Sequence, residues 1–298
     1  RKRNIPVIIV FNKNDIQDVS ESIIAQIKRY ELPYVKCIAI NGTGISEFRE
    51  ILIRSIPENY LNSGTIAGDI VPAGEMAILV VPIDMEAPKG RLILPQVQTI
   101  RDLLDNDSFC MVVKERELRT AIDRLKKPPA IVITDSQAFL KVSADVPDEI
   151  LLTSFSILFA RYKGDLDTFV DGAMTISELK AGDKILVAEA CSHHPICEDI
   201  GRVKIPRWLT QFVGGKLDFT HVQGHDFPEH IQEYKLVIHC GSCVFNRREL
   251  LSRILKCREL KVPITNYGVA ISYSLGIFER ALLPFPSARE ILKNRKFQ

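Results

Sequence analysis

The chain has 298 residues, of which 46% are hydrophobic and 26% are charged, and its formal net charge at pH 7 is +2. This length and composition are ordinary for a globular protein with two or three cores, and they exclude a disordered tail. The near-neutral charge gives no general attraction to nucleic acid or to an anionic membrane, so we expect neither as a partner.

Cysteine usage indicates a reducing compartment. The seven cysteines are an odd number, and we find no cleavable signal and no apolar run near the ~18 residues of a membrane span. Reduced thiols are the simplest interpretation, and thiolates are also the form that binds metals. We therefore expect a cytoplasmic protein.

An apolar segment at residues 5–11 predicts the first strand, and a guanine-reading signature follows it directly. Asn12, Lys13 and Asp15 stand in the N-K-x-D pattern of GTPases. In that pattern the Asp carboxylate accepts hydrogen bonds from guanine N1 and its exocyclic amine, which adenine does not offer. The motif is short, and an ordinary polar turn after a strand can contain the same residues.

A second segment strengthens the guanine interpretation. After a predicted helix at residues 20–30 and a strand at residues 34–40, the loop from Ala39 to Ile45 resembles the S-A-x-x-G-x-G-I segment that closes the base pocket in translation-factor-like GTPases. Ile38 stands where that pattern has Ser, so the match is partial. The candidate nucleotide-binding residues are Asn12, Lys13, Asp15 and Ala39.

The phosphate-binding half of a GTPase site has no counterpart in this sequence. It contains no G-x-x-x-x-G-K-[ST] pattern, and no D-x-x-G precedes the first strand. We therefore expect the phosphate cradle and the magnesium ligands of a P-loop enzyme to be absent. The chain as written should hold the guanine half of the site and should not hydrolyse GTP unaided.

A predicted amphipathic helix at residues 45–56 ends the first unit, and the turn-rich stretch at residues 59–75 predicts a linker. The second unit has predicted strands at residues 76–81, 109–113 and 130–134 and helices at residues 96–106 and 116–126. Strands and helices that alternate in this way predict a small parallel sheet. The apolar run at residues 150–159 predicts a strand followed by a helix, covered by the core or by a second subunit.

A third unit contains a candidate metal site that is split over two segments. The candidate ligands are Cys191, His193, His239, Cys240 and Cys243. The first two follow a predicted strand at residues 184–188, and the last three follow one at residues 235–238. Ligand crevices form at the carboxyl ends of strands in open α/β sheets, so two strands can deliver thiolates to one pocket. Further strands are predicted at residues 217–221 and 263–265, and helices at residues 203–212, 246–256, 269–282 and 287–295.

Four interpretations of these thiols remain open at this point. They could be unrelated buried cysteines, as we interpret Cys37 and Cys110, although five potential ligands in two short segments argue against accident. Structural zinc fits the residue types at least as well as iron does. An iron–sulfur cluster on three cysteines with a non-cysteine fourth ligand also fits. A redox dithiol leaves Cys191 and both histidines unexplained.

Taken together, these segments resemble HydF, the GTPase maturation factor of [FeFe] hydrogenase. That family joins a GTPase domain, a dimerisation domain and a cluster domain that carries Cys-x-His, a spacer of a few dozen residues and then His-Cys-x-x-Cys. The five candidate ligands match this motif position by position. Residues 87–96, 199–207 and 266–270 also resemble the family.

The resemblance implies an α/β protein in which a partial P-loop GTPase domain precedes a small parallel α/β dimerisation domain and an α/β iron–sulfur cluster domain. We assign residues 1–58 to the C-terminal part of the GTPase domain, 59–75 to the linker, 76–165 to the dimerisation domain and 166–298 to the cluster domain. Cys197 and Cys257 fall outside the matched motif and are interpreted as structural thiols.

The resemblance also implies a function. HydF is a scaffold and carrier on which the di-iron precursor of the hydrogenase H-cluster is held before its transfer to apo-hydrogenase, and radical-SAM enzymes load that precursor. The implied cofactors are a [4Fe-4S] cluster on Cys191, Cys240 and Cys243, with GTP and Mg²⁺ in the intact protein. His193 and His239 would be fourth-ligand candidates or donors to cluster sulfurs. The implied assembly is a homodimer. The alternative is a structural-zinc, GTPase-linked interaction module without cluster transfer.

Overall fold

The computed structural model describes residues 6–57, 64–82, 92–190 and 199–296. In these residues the strands form three sheets whose strand pairs are all parallel, and helices connect most of the successive strands. The predicted α/β class with parallel sheets is confirmed. Cys191, His193 and Cys197 lie outside the described residues.

The first unit pairs two short strands. It consists of β1 (Ile9–Phe11), α1 (Glu21–Arg29), β2 (Tyr34–Lys36) and α2 (Ile45–Ser55). Val10 lies opposite Val35 in the parallel pair. Helix α1 has Glu21 in its first turn and Lys28 and Arg29 in its last turn, which is the charge order that the helix dipole favours.

The middle unit is a four-stranded sheet in the order β4-β3-β5-β6. Its strands are β3 (Met76–Val80), β4 (Phe109–Val113), β5 (Ile131–Thr134) and β6 (Leu151–Ser154), and its helices are α3 (Leu94–Asp105), α4 (Leu118–Asp123), α5 (Phe139–Asp145) and α6 (Phe155–Lys163). The predicted strands lie where the apolar runs placed them. The short helix α5 was not predicted, because a helix of 7 residues shows little periodicity.

The residues before β3 pack against this sheet. Ile66, Ala67 and Val71 are buried, and the Asp102 carboxylate accepts hydrogen bonds from the Ala67 and Gly68 N–H groups at 2.7 and 2.8 Å. Residues 66–71 are therefore attached to helix α3. The proposed domain boundaries stay a prediction.

The apolar run at residues 150–159 forms strand β6 and the start of helix α6, as predicted. Ile157, Leu158 and Phe159 are fully buried inside the chain, so the core covers this run and it offers no surface to a second subunit. Exposed apolar side chains occur instead on strand β4, where Phe109 and Val112 are about half exposed. Cys110 on the same strand is only half-buried, which corrects the interpretation of it as a core residue.

The third unit repeats the strand topology of the middle unit. Its sheet has the order β10-β9-β7-β8, formed by β7 (Lys184–Glu189), β8 (Asp218–Gln223), β9 (Leu236–His239) and β10 (Ile264–Asn266). The helices are α7 (Leu166–Met174), α8 (Ile205–Val213), α9 (Arg247–Glu259), α10 (Tyr267–Ser274), α11 (Phe278–Leu282) and α12 (Pro286–Lys296). In both sheets the unit's first strand lies between its second and its third, and the fourth strand is at an edge.

One predicted helix is divided in two. The sequence pattern predicted a single helix over residues 269–282, whereas α10 and α11 are separated at Gly276, whose φ is +73°. This left-handed conformation ends a helix and is one that glycine adopts without a steric penalty. The structure contains no helix that is both long enough and apolar enough to cross a membrane among the residues described.

A single hydrophobic core joins the middle and third units. Helix α7 packs so closely on strand β10 that a Cβ atom at Gly172 would lie 2.0 Å from the Ile264 carbonyl oxygen. The obstacle is backbone in the centre of the core, and it cannot move away as the end of a side chain would.

We therefore predict that Gly172→Ala destabilises the protein. Alanine is the better helix former by about 1 kcal/mol, but the overlap should outweigh this gain and lower the free energy of unfolding by about 1–3 kcal/mol. Chemical denaturation would measure the change. Gly64→Ala is the control, since nothing lies within 4 Å of its added Cβ. A Gly172→Ala protein as stable as the unchanged chain would contradict the packing.

Candidate functional sites

The candidate metal site lies where neighbouring parallel strands β7 and β9 end. Ala188 is paired with His239 in the sheet, and the Cys240 N–H donates to the Ala188 carbonyl at 2.9 Å. The chain continues from β7 to β8 on one side and then to β9 on the other, so the winding reverses between β7 and β9. In open α/β sheets, ligand crevices form outside the carboxyl ends of the strands at this switch point.

The turn from Cys240 to Cys243 presents two thiols at this switch point. The Ala190 N–H donates to the Cys240 sulfur at 3.0 Å. Ser242 has φ +53°, a left-handed conformation that tightens the turn, and the Phe245 N–H donates to the Ser242 carbonyl at 3.1 Å. Both cysteines are half-buried and outside any disulfide, and burial raises the pKa of the Cys243 thiol.

The full ligand set stays a prediction. In the sequence, Cys191 follows Ala190, the residue after strand β7. Cys191 and His193 themselves lie outside the described residues. Within the described ranges, no group of three metal-binding side chains comes together. The structure therefore brings Cys240 and Cys243 to the end of β7, which is the position from which Cys191 follows.

His239 is buried behind the turn from Cys240 to Cys243, which we call the thiol turn. Both of its ring nitrogens are in hydrogen bonds. The Arg253 guanidinium lies 3.0 Å from Nε2, and because an arginine only donates, Nε2 must accept. Nδ1 then carries the proton, 3.0 Å from the Cys240 carbonyl and 3.2 Å from the Ser242 hydroxyl. Burial and the Arg253 charge lower the pKa of His239 to about 3, so the ring is neutral near pH 7.

Arg253 is a buried cation, with only 3% of its surface exposed. Besides His239, it donates to the Gly224 carbonyl at 2.6 Å and lies 3.5 Å from the Glu249 carboxylate. Its guanidinium carbon lies 5.0 Å from the Phe227 ring centroid and 4.7 Å from that of Phe245. The aromatic faces stabilise the charge that burial disfavours.

The middle unit supports the same turn from the other side. On helix α6, the Ser156 hydroxyl donates to the Asn266 side-chain oxygen at 2.9 Å, and the Asn266 amide donates to the Cys240 carbonyl at 3.3 Å. At the other end of α6, Lys163 donates to the Phe245 carbonyl at 2.9 Å. The turn is therefore held by both units, and a shift of α6 would displace it.

A buried polar network contains residues from both sequence flanks of the Cys191 segment, residues 191–198. Glu189, which ends β7, is 1% exposed and accepts from the Tyr267 hydroxyl and the Gln223 amide, both at 3.2 Å. Arg202 is 3.8 Å from Glu189, and a Cβ atom at Gly201 would lie 2.1 Å from the Tyr267 oxygen. Burial raises the pKa of Tyr267, with the Cys240 and Glu189 charges adding to the effect. This network joins the residues before and after the Cys191 segment.

Sequence reasoning found the thiols and missed the residues that hold them. Asn266 lies in a segment noted only for its family resemblance. Arg253 had a recognisable signal, because it occupies the apolar face of helix α9 between Leu250 and Cys257, at the spacing of buried positions. A charged residue in an apolar stripe indicates a buried partner, which here is His239.

The candidate nucleotide residues come together at the ends of β1 and β2. The Asn12 side-chain oxygen accepts from the Lys13 N–H at 2.8 Å and from the Ala39 N–H at 3.1 Å, which joins the two loops. Lys13 has φ +60°, and Gly44 has φ +75° with its backbone so close to Lys36 that a Cβ atom would lie 2.2 Å from that carbonyl. The Asp15 side chain is exposed, as a residue that reads a bound base must be.

Two packed helices connect the candidate sites. Helix α2 begins at Ile45, directly after the loop of Ala39, and packs against helix α9, which carries Arg253. At the end of α2 the Ile56 carbonyl accepts a hydrogen bond from Arg248. A displacement of α2 would therefore act on the helix that begins four residues after Cys243.

Comparison with known proteins matches both larger units to one family. Residues 66–164 match the model of the hydrogen maturase F dimerization domain, and residues 167–284 match that of the hydrogen maturase F tetramerization domain. Together the two matches cover well over half of the chain. The comparison with curated proteins found no match.

The geometry of the two loops predicts the effect of Asn12→Ala. Loss of the side-chain oxygen removes the acceptor of the Ala39 N–H. Because such a hydrogen bond contributes about 1 kcal/mol, its loss should speed amide exchange at Ala39 roughly fivefold. Hydrogen exchange followed by NMR would measure this. Asn12→Asp keeps the acceptor and should restore protection.

Asn41→Ala is the matched control, because the Asn41 side chain accepts from the Thr43 N–H at 3.0 Å within its own loop. It should speed exchange at Thr43 and leave Ala39 protected. Unchanged exchange at Ala39 in Asn12→Ala would show that the two loops are not joined by this side chain.

Proposed function

Because the chain belongs to the hydrogen maturase F (HydF) family, we propose that it is a scaffold and carrier in the maturation of [FeFe] hydrogenase. In this proposal it binds a [4Fe-4S] cluster and holds the di-iron precursor of the H-cluster for transfer to apo-hydrogenase. The observation that carries the proposal is the thiol turn of Cys240 and Cys243 at the switch point of its sheet, next to the strand that leads to Cys191.

The chemistry of the described residues fits a thiolate-bound cluster. The Ala190 N–H points at the Cys240 sulfur at 3.0 Å, and such backbone donors stabilise sulfur that carries negative charge. The Arg253 cation lies behind the same turn. Hard cations prefer carboxylate and amide oxygens. The groups of this kind at the neighbouring strand ends, Glu189, Gln223 and Asn266, are instead hydrogen-bonded to protein groups.

The proposed ligands are Cys191, Cys240 and Cys243. Three thiolates leave one iron of a four-iron cluster with an exchangeable ligand, to which the cargo can attach. His193 remains a candidate for the fourth ligand. For His239 we propose a positioning role in place of either expected one, because protein groups engage both of its nitrogens and its ring is fully buried. It orients the Cys240 carbonyl and thereby the turn.

The proposed nucleotide-binding residues are Asn12, Lys13, Asp15 and Ala39. Asn12 joins the two loops, and the exposed Asp15 carboxylate would accept hydrogen bonds from guanine. GTP with Mg²⁺ would be the ligand of the intact family's GTPase site. Contact between helices α2 and α9 offers a route by which nucleotide could influence the cluster turn.

The proposed partners follow from the family. Apo-hydrogenase would receive the cargo, and radical-SAM enzymes would load it. Thiolate ligands require a reducing environment, so we propose a cytoplasmic location. The dimerization-domain match supports a homodimer.

The open edge of strand β4 is the surface we propose for that homodimer. In the described part of the chain, β4 and β6 are the two edge strands of the middle sheet, and β6 is largely buried. The Phe109 N–H and the Val113 carbonyl bond to the β3 side, so the Val112 N–H, on the alternate side of the strand, points to the open edge. An open strand edge with exposed Phe109 and Val112 is a template for pairing with a second chain.

The metal proposal predicts the iron content of cysteine variants. After anaerobic reconstitution the unchanged chain should be brown and contain iron and sulfide, whereas Cys191→Ala, Cys240→Ala and Cys243→Ala should each lose most of the iron, because every thiolate is a ligand. Metal and sulfide analysis would measure this. Cys257→Ala is the control, since that thiol is fully buried on helix α9 and burial raises its pKa to about 12.

Two outcomes would contradict the metal proposal. Full iron content in Cys240→Ala would remove that residue from the ligand set. A colourless unchanged protein that contains zinc and no sulfide would support the structural-zinc interaction module instead.

The edge-strand proposal predicts that Val112→Pro yields a monomer. Proline removes an N–H that points to the open edge and no hydrogen bond to β3, so the fold should persist while pairing is lost. Light scattering at micromolar concentration, with circular dichroism to check the fold, would measure the change. Leu140→Gln, at another exposed apolar position of the middle unit, should leave the dimer intact. A dimeric Val112→Pro protein would refute this interface.

A further inference from the structure

We propose that Arg253 positions the cluster-binding turn through His239 and supplies the fixed positive charge that raises the reduction potential of the cluster bound there. This inference rests on the proposed function. It adds a residue that lies outside the matched ligand motif, 10 positions beyond Cys243 on helix α9.

The positioning part follows from a continuous chain of contacts. The Arg253 guanidinium donates to Nε2 of His239 at 3.0 Å, which fixes the proton on Nδ1. Nδ1 lies 3.0 Å from the Cys240 carbonyl and 3.2 Å from the Ser242 hydroxyl. Arg253 also donates to the Gly224 carbonyl at 2.6 Å. The planar fork thus holds the β8 and β9 ends together and sets the orientation of the turn.

The charge part follows from how poorly this cation is neutralised by the described residues. The one carboxylate beside Arg253 is that of Glu249 at 3.5 Å, and this side chain is 35% exposed and partly hydrated. The Nε atom of Arg253 is buried without a hydrogen-bond partner. A buried cation is costly unless opposite charge lies near it, and a cluster carried by thiolates provides that charge on the Cys240 side.

A fixed cation behind the turn should raise the reduction potential of a cluster bound there. When the cluster accepts one electron from an electrode, it gains one negative charge and loses nothing else. Nearby positive charge stabilises the reduced form more than the oxidised form, so the potential rises. The rings of Phe227 and Phe245, with centroids 5.0 and 4.7 Å from the guanidinium carbon, keep water from screening this charge.

Two substitutions at Arg253 separate charge from shape. Arg253→Met keeps length without charge, and the equilibrium constant for reduction should fall roughly tenfold, which is about 59 mV for one electron. Arg253→Lys keeps the charge but not the fork, so its potential should stay near that of the unchanged protein. Both variants should lose iron faster to a chelator, because neither can hold His239 and Gly224 together.

Glu249→Gln provides an independent test that leaves Arg253 in place. Removing the neighbouring negative charge strengthens the positive field at the turn, so the potential should rise. Glu259→Gln is the matched control, since it makes the same change at an exposed position at the far end of helix α9. It should leave the potential unchanged.

Electrochemical titration of the reconstituted full chain, followed by electron paramagnetic resonance, would measure all four variants. A lower potential in Arg253→Met and a higher one in Glu249→Gln would support the inference. An unchanged potential in Arg253→Met would overturn the charge role. If Arg253→Met does not hold a cluster, the test is Glu249→Gln, in which an unchanged potential would overturn the charge role. If Arg253→Lys loses iron to the chelator at the same rate as the unchanged protein, the positioning role is overturned. If the unchanged chain binds no iron and sulfide, the proposed function itself fails. If it binds a cluster whose potential does not respond to these substitutions, only the inference about Arg253 fails.

Discussion

The parallel pairing of β7 with β9 is the constraint on which the candidate metal site depends. Because Ala188 and His239 are in register, the residues that follow the two strands emerge side by side, although the ligand segments are far apart in sequence. A slip of one residue would turn each side chain to the opposite face of the sheet. Buried apolar residues in both strands, all at or near 0% exposure, fix this register.

The turn that carries the thiols is supported by two structural units at once. Helix α6 of the middle unit approaches through Ser156 and Lys163, while helix α9 of the third unit approaches through Arg253. The same middle unit carries the open strand edge. The strand edge proposed for the dimer and the turn proposed for the cluster are therefore joined by one continuous core. A change at either place can reach the other through packed side chains.

How much the sequence reveals depends on whether a signal is local. Strand β9 and the thiols after it were predictable, because a short apolar run followed by Cys-x-x-Cys needs no distant partner to be recognised. The same holds for Asn12 after β1. His239 shows the limit, because its residue type suggested a ligand or a donor to cluster sulfurs. The positioning role that we propose rests on its contact with Arg253, 14 residues away, which no local pattern reveals. The division of residues 269–282 at Gly276 was also missed, since an isolated glycine within a helical pattern is tolerated and does not by itself mark a helix end.

The central claim is that iron lies at the ends of β7 and β9, held by Cys191, Cys240 and Cys243. Anomalous diffraction from anaerobically grown crystals, recorded on both sides of the iron absorption edge and again at the zinc edge, tests it most directly. The account predicts an iron peak within bonding distance of all three sulfurs, with His239 still bonded to Arg253. A zinc peak at that position, an iron peak elsewhere, or a peak bonded to the His239 ring would contradict it.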